Sequence, residues 1–342
     1  MNTEVSTITE DKAKTDEILL EVKGLKKYFD VSTGLLNKKE AYVYAVDDVN
    51  FFVKKGETLG IVGESGCGKS TTGNMVGMLL EPTEGEIVYK EQDLRALSKK
   101  KLRGIRSEIQ MIFQDPFSSL NPRMKVYDII AEPLRTHLKL NRRELYDRVA
   151  ELMELVGLNK SYMKRYPHEF SGGQRQRIGI ARAIALNPEL VICDEPVSAL
   201  DVSIQSQILN LLVKLQKELN LTFIFIAHGL PAVQYISDRI AVMYLGKIVE
   251  LATKEELFKQ ALHPYTKGLL SAVPIPDPEY RNEEKYIIEG DIPSPENPPT
   301  GCNFHTRCPF AQDICKTQEP EFREVTKDRF VACHFALELA DK

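Results

Sequence analysis

Gly63-Glu64-Ser65-Gly66-Cys67-Gly68-Lys69-Ser70-Thr71 decides the fold. The stretch fits the pattern G-x-x-x-x-G-K-[ST], in which consecutive backbone N–H groups curl around phosphates. Its glycines let the backbone come close to an anion with no Cβ in the way. Lys69 is long enough to reach the outer phosphates of a nucleotide, and the Ser70 hydroxyl suits Mg²⁺. The flanks supply the context such a motif needs. Thr58-Leu59-Gly60-Ile61-Val62 reads as a short buried strand before it. Ser70 to Leu80 reads as a helix after it, whose N-terminus adds a positive dipole end to the anion site. A chance glycine-rich turn would have neither flank.

Outward from the loop, the pattern is that of a layered α/β chain. Leu19 to Leu25 and Tyr42 to Val53 read as strands, separated by a polar loop from Asp30 to Lys39. Thr83-Glu84-Gly85-Glu86 reads as a turn before a short strand at Ile87–Tyr89. Glu108 to Phe113 is strand-like, and Val126 to Leu186 turns helical, with Leu145, Val149, Leu152, Met153 and Val156 at helical spacing and Gly157 as a C-cap. Leu190–Cys193 and Thr222–Ala227 are fully apolar runs, as in a parallel sheet covered on both faces. Ile208, Leu211, Leu212, Leu215 and Leu219 form an amphipathic stripe. Ile240 to Leu251 holds two strand runs around Leu245-Gly246-Lys247.

Composition bounds the rest. The chain has 342 residues, 43% hydrophobic and 27% charged, which suits one large or two globular domains. A net charge of -4 argues against a dedicated nucleic-acid binder, which shows a basic face. No apolar run has the length needed to span a bilayer. Met1 to Glu17 is polar and acidic, without the apolar core of a signal peptide, and reads as a disordered tail. That places the chain in a reducing compartment. Seven prolines between Pro274 and Pro299 mark a linker. After it come Cys302, Cys308, Cys315 and Cys333, spaced C-x5-C-x6-C-x17-C. Four thiolates suit an Fe–S cluster or zinc, although structural zinc favours tighter pairs. Packing as four reduced thiols is the alternative. The segment between Cys315 and Cys333 is so charged that a bound metal would have to supply its missing core. Cys67 and Cys193 read as small packing residues.

Further motifs say which machine the phosphate loop serves. Asp194 and Glu195 end the apolar run Leu190–Cys193, and ligands of open α/β sheets bind at the carboxyl ends of strands. Asp194 can hold Mg²⁺, and Glu195 can polarise a water for attack on the γ-phosphate. Phe170-Ser171-Gly172-Gly173-Gln174-Arg175-Gln176-Arg177 resembles the signature sequence of ATP-binding-cassette (ABC) proteins, with Phe where Leu is usual. Ser171, Gly172, Gly173 and Gln174 open a helix that can hold a γ-phosphate from outside. In the family that phosphate belongs to ATP on another subunit.

The resemblance extends to other positions in order. Gln114 matches the loop that senses Mg²⁺, the water and the transmembrane partner. Ser198-Ala199-Leu200-Asp201 matches the loop crossing the dimer interface. His228 matches the switch histidine that contacts the γ-phosphate, followed by Gly229 where the family usually has Asp. Tyr28 matches the aromatic that stacks on adenine, with Phe29 and Tyr42 nearby as competitors. The chain thus resembles an ABC ATPase over residues 18–273.

That resemblance implies a RecA-like P-loop α/β core with an antiparallel β subdomain, a helical subdomain over about 116–186, and a small cysteine-rich extension over 274–342. Phe113 to Pro122, Val197 to Ser203 and His263-Pro264-Tyr265-Thr266 make it similar to the oligopeptide/dipeptide importer ATPases, nearest the second ATPase of the pair. Importers for nickel and glutathione share much of the pattern. Members of this subfamily carry a [4Fe–4S] cluster in the tail, which the resemblance assigns to Cys302, Cys308, Cys315 and Cys333. Further implied are ATP and Mg²⁺, a non-identical partner ATPase, two transmembrane permease subunits, an extracytoplasmic substrate-binding protein, and a place at the cytoplasmic face of the membrane. A soluble ABC protein, such as a translation factor or an Fe–S assembly ATPase, is the rival. Such translation factors usually carry two cassettes in one chain, and assembly ATPases lack a tail like this one.

Overall fold

The computed structural model of the protein describes residues 16–31, 41–273 and 288–339. The expected loop after Asp30, most of the N-terminal tail and the first half of the proline-rich stretch lie outside the described residues.

Two sheets form the frame. The first strands are β1 (Ile18–Asp30), β2 (Tyr42–Lys54) and β3 (Thr58–Val62), followed by α1 (Lys69–Val76), β4 (Glu84–Tyr89) and β5 (Gln92–Asp93). Next come α2 (Lys99–Glu108) and β6 (Ile109–Ile112), then α3 (Val126–His137), α4 (Arg142–Leu155) and α5 (Gly172–Ile184). The second half holds β7 (Leu190–Asp194), α6 (Val202–Leu219), β8 (Thr222–Ala227), α7 (Leu230–Ile236), β9 (Arg239–Tyr244) and β10 (Lys247–Thr253). It ends with α8 (Lys254–Lys259), α9 (Pro264–Ser271), α10 (Asp313–Thr317), β11 (Arg323–Thr326) and β12 (Arg329–Val331). The small sheet runs β2-β1-β4-β5, all antiparallel. The large sheet runs β11-β12-β10-β9-β3-β8-β7-β6, with β9, β3, β8, β7 and β6 mutually parallel.

The apolar strands behave as their period of two dictates. Leu59, Ile61, Leu190, Ile192, Ile224 and Ile226 point into a core shared with the small sheet and α1. Val62, Val191, Cys193, Phe223 and Phe225 point into the opposite core, shared with α3 to α6. The helices start where their caps say. Asn141 and Glu144 form a capping box for α4, Ser171 and Gln174 form one for α5, and Asp201 caps α6.

Three sequence expectations are corrected. α1 stops at Val76 rather than Leu80. Gly77 closes it, Met78 takes a left-handed φ of 54°, and the amides of Leu79 and Leu80 fold back onto the Asn74 carbonyl. The expected turn at Glu84-Gly85-Glu86 is already strand β4, paired with Lys23 and Lys26 of β1. The charged segment after Cys315 does build structure of its own. β11 and β12 form a hairpin whose Val331 and Phe330 pair with Glu250 and Leu251 of β10, so the tail extends the main sheet. Its hydrophobic side is small but real: Val331 is buried, and Phe322 stacks on Phe330 at 5.6 Å between ring centroids.

Candidate nucleotide site

β3, β8, β7 and β6 are parallel neighbours, so their carboxyl ends open on one edge. Four sequence-predicted residues stand along it: Lys69 at the start of α1, Glu195 after β7, Gln114 after β6 and His228 after β8. The phosphate loop keeps its shape by close packing. A Cβ on Gly63 would collide with the Met243 carbonyl oxygen and lie 2.8 Å from Cys67 Sγ. Gly68 has φ 103°, and a Cβ there would lie 2.2 Å from the Ala45 carbonyl oxygen, so only glycine is tolerated. Ser65 and Gly66 form the exposed crest, and Thr72 Oγ1 ties the first turn of α1 to the Gly68 carbonyl at 3.0 Å. Lys69 is buried and donates to the carbonyls of Gly63 at 2.9 Å and Glu64 at 3.0 Å, which lays its ammonium across the loop.

The two carboxylates at the end of β7 have different settings. Ser70 Oγ donates to Asp194 Oδ1 at 2.7 Å, and Gln114 Nε2 donates to Glu195 Oε2 at 2.8 Å. Burial raises the Asp194 pKa above the usual carboxylate value. The Ser70 hydrogen bond opposes that rise, the adjacent Glu195 adds to it, and Lys69 opposes it. A hard cation would stabilise this buried carboxylate, and the oxygen donors of Ser70, Asp194 and Gln114 fit Mg²⁺, which takes few protein ligands and otherwise water and phosphate. Glu195 holds a left-handed φ of 45°, uncommon for a non-glycine residue, while its amide donates to the Ile226 carbonyl at 3.0 Å. That kink turns the side chain out of the strand toward Gln114.

The remaining predicted residues have other settings. Tyr28 lies on β1, edge-on to Tyr44 at 4.8 Å, and donates to Asp47 at 2.6 Å. Burial works against Asp47 ionising, but the hydrogen bonds from Tyr28 and Lys247 outweigh it and hold its pKa below the usual value. Gly172 sits beside Leu200, on the loop that leads into α6, and Gly173 beside Ile204 in the first turn of α6. Among the described residues no hydrogen bond or ion pair joins residues 171–174 to residues 63–71. Sequence reasoning missed the partners of Glu64: its amide donates to the Tyr265 hydroxyl, and its carboxylate meets Arg307. Only the fold brings positions so far apart together, and no local signal could have found them.

Cys302, Cys308, Cys315 and Cys333 do converge, lining one cavity of about 20 Å³. Burial pushes Cys302 up to about 12 and Cys308 up to about 11, and raises Cys333 too. Among the described residues no three His, Cys, Asp or Glu side chains are grouped closely enough to hold a metal ion. The four thiols therefore share a cavity without forming the tight shell around one centre that zinc requires. A four-iron cluster also takes four thiolates, and this cavity of about 20 Å³ would have to widen to admit one.

A phosphate loop whose lysine, serine and strand-end carboxylates meet on one sheet edge defines the class, a phosphate-loop ATPase. The comparisons with known proteins then narrow it. A family model for the ABC transporter matches residues 46–198, and one for the oligopeptide/dipeptide transporter C-terminal region matches residues 249–315. The chain is 57% identical over 324 residues to the oligopeptide transport ATP-binding protein AppF of Bacillus subtilis, covering 94% of this chain and 98% of that protein. It is 54% identical over 308 residues to the oligopeptide transport ATP-binding protein OppF of Salmonella typhimurium, covering 89% and 92%. Among solved structures, the ATP-binding cassette MJ0796, a dimer in a post-hydrolysis state bound to ADP and Pi, matches with a TM-score of 0.61 at 29% identity, covering 69% of this chain and 98% of that one. The chain belongs to the ABC transporter family, among the ATP-binding proteins of oligopeptide/dipeptide transporters.

Proposed function

We propose that this chain hydrolyses ATP to power import of oligopeptides or dipeptides through an ABC transporter. The observation that carries the chemistry is the convergence of the Ser70–Asp194 and Gln114–Glu195 contacts on the carboxyl edge that holds Lys69. In this reading loop 63–71 wraps the phosphates, Ser70, Asp194 and Gln114 hold Mg²⁺, which offsets phosphate charge when bound, and Glu195 orients the attacking water. His228, exposed just beyond β8, contacts the γ-phosphate, and the half-buried Tyr28 stacks on adenine. The peptide assignment rests on the two relatives named for oligopeptide transport and on the match over residues 249–315. Nothing in this chain favours nickel, glutathione or a transport-free role.

Two cassettes are needed. Ser171, Gly172, Gly173 and Gln174 cap α5 against α6 rather than against their own loop, so they serve a nucleotide on a facing ATPase, which the subfamily makes a non-identical subunit. Among the described residues no helix is long and apolar enough to cross a membrane. Two permease subunits then supply the pore, with an extracytoplasmic substrate-binding protein beyond it and this chain peripheral at the cytoplasmic face. A groove of about 640 Å³ beside Gln114, bordered by Phe113, Ser118, Pro133 and Arg182, suits a permease helix. We assign the cavity ringed by Cys302, Cys308, Cys315 and Cys333 to a [4Fe–4S] cluster with a structural role, in preference to zinc. Burial holds Cys302, Cys308 and Cys333 back from ionising, and cluster ligation would offset that by stabilising their thiolates.

Lys69→Ala tests the motor role. It removes the cation that the β- and γ-phosphates meet, so peptide uptake by cells whose single copy carries the change should fall at least ~10-fold. Unchanged uptake would remove this chain from the power stroke.

A further inference from the structure

Glu64, the second residue of the phosphate loop, is gripped by the C-terminal region. Its Oε2 accepts from Arg307 Nη1 at 2.8 Å and its Oε1 from Arg307 Nη2 at 3.1 Å, a two-pronged contact. The Arg307 side chain is 7% exposed and that of Glu64 24%, so the pair is largely shielded from water. The Glu64 amide donates to the Tyr265 hydroxyl at 2.9 Å. Tyr265 packs on Phe304 at 5.5 Å and Tyr244 at 4.7 Å. Asn303 Nδ2 donates to the Leu245 carbonyl at 3.3 Å, and the next amide, Gly246, donates to the Cys67 carbonyl at 3.0 Å. Residues 303–307 therefore reach both ends of the loop crest, and Cys302 and Cys308 flank them directly.

The carboxylate is the informative part. A loop that binds anions through its amides is a poor place for a fixed negative charge. Among the described residues Lys69 makes no ion pair with it, and its ammonium donates to the Gly63 and Glu64 carbonyls instead. Arg307 does pair with it. We propose that Arg307 is a positioning residue for the nucleotide site: it cancels the Glu64 charge and braces the loop, so that the cysteine-bearing region sets the loop's affinity for ATP. The inference rests on the assignment of residues 63–71 to ATP phosphates. Coupling of this kind is reciprocal, so nucleotide must also tighten residues 301–312.

The test is ATP and ADP titration of the full chain, purified anaerobically, as wild type, R307A, R307K, E64Q and the double variant E64Q/R307A. R307A, which leaves Glu64 unpaired beside the phosphates, should weaken ATP binding about 10-fold, the scale of a charge-assisted hydrogen bond. R307K keeps the charge but loses the fork, and should fall between. The double variant should bind ATP tighter than R307A alone, within about 3-fold of wild type, because the repelling carboxylate is gone. A role confined to holding the tail predicts the opposite: a double variant as weak as R307A or weaker, which would overturn the proposal. So would equal affinities for R307A and wild type. As a second readout, saturating ADP should slow hydrogen exchange across residues 301–312 in wild type and much less in R307A. Exchange that ignores nucleotide would refute the coupling. Wild-type protein that binds no ATP would instead strike at the reading of the loop itself, and the brace with it.

Discussion

Glu250→Ala should cut the fastening between the C-terminal hairpin and the cassette. Glu250 has no exposed surface, yet it is fully employed. Its carboxylate accepts from the Leu262 amide at 2.9 Å, the His263 amide at 2.9 Å and Arg329 Nη2 at 3.1 Å. Arg329 is buried as well and reaches the Gln260 carbonyl. Removing one partner of a buried ion pair costs about 3–5 kcal/mol, because the other charge stays behind. Two orphaned amides add about 1–3 kcal/mol each before the site relaxes, and neighbouring losses of this kind do not sum. We take about 4 kcal/mol as the working figure, close to a thousandfold in the folding equilibrium. A native domain holds about 5–15 kcal/mol in all, so the variant should be marginal. Urea unfolding followed by circular dichroism measures the loss, and limited proteolysis should cut first near the β11–β12 hairpin. Glu250→Gln keeps an acceptor for the amides but not the charge, and should lose less. Pairing Glu250→Gln with Arg329→Met should recover part of the deficit, since no buried charge is then left without its partner. If Glu250→Ala unfolds within about 1 kcal/mol of wild type, the carboxylate is not the hub that its contacts describe.

Gly63→Ala drives a Cβ into the Met243 backbone carbonyl, which cannot swing aside, so ATP affinity should drop at least ~10-fold in a titration, with about 1–3 kcal/mol lost in unfolding. Gly104→Ala in α2 is its counterpart: nothing lies within 4 Å, and the protein should gain about 0.5–1 kcal/mol from helix propensity. Anaerobically purified protein should be brown, with broad absorption near ~400 nm, and replacing Cys308 and Cys315 by Ser should bleach it while the β10–β12 pairing persists. Colourless protein with stoichiometric zinc would replace the cluster with a zinc site.

What the sequence disclosed followed physical period and order. Thr58–Val62 and Thr222–Ala227 were legible to the residue, because a strand buried on both faces must be apolar throughout and is bounded by turn residues. The placement of the phosphate loop, Asp194 and Glu195 at strand ends was legible in local spacing, while Gln114 was singled out by the resemblance alone. The end of α1 was not, since Leu79 and Leu80 continue the apolar pattern while the Met78 backbone has already reversed. The C-terminal hairpin was hidden by its charge. Arg329 reads as solvated until the fold supplies Glu250, 79 positions away, as its buried partner. Glu64 and Arg307 were hidden for the same reason, at a separation of 243. Long-range ion pairs carry no local pattern, and together with the β10–β12 pairing they join the tail to the cassette.

Glu195 is the residue proposed to direct water at ATP. ATP hydrolysis should be measured on the chain assembled with its partner ATPase and permeases, as wild type and as Glu195→Gln, with bound nucleotide quantified in parallel. The exchange keeps the shape of the side chain and its reach to Gln114, and removes the negative charge. The predicted result is hydrolysis lowered at least ~100-fold with ATP still bound, on the scale of a lost general base. Turnover near the wild-type rate would contradict it.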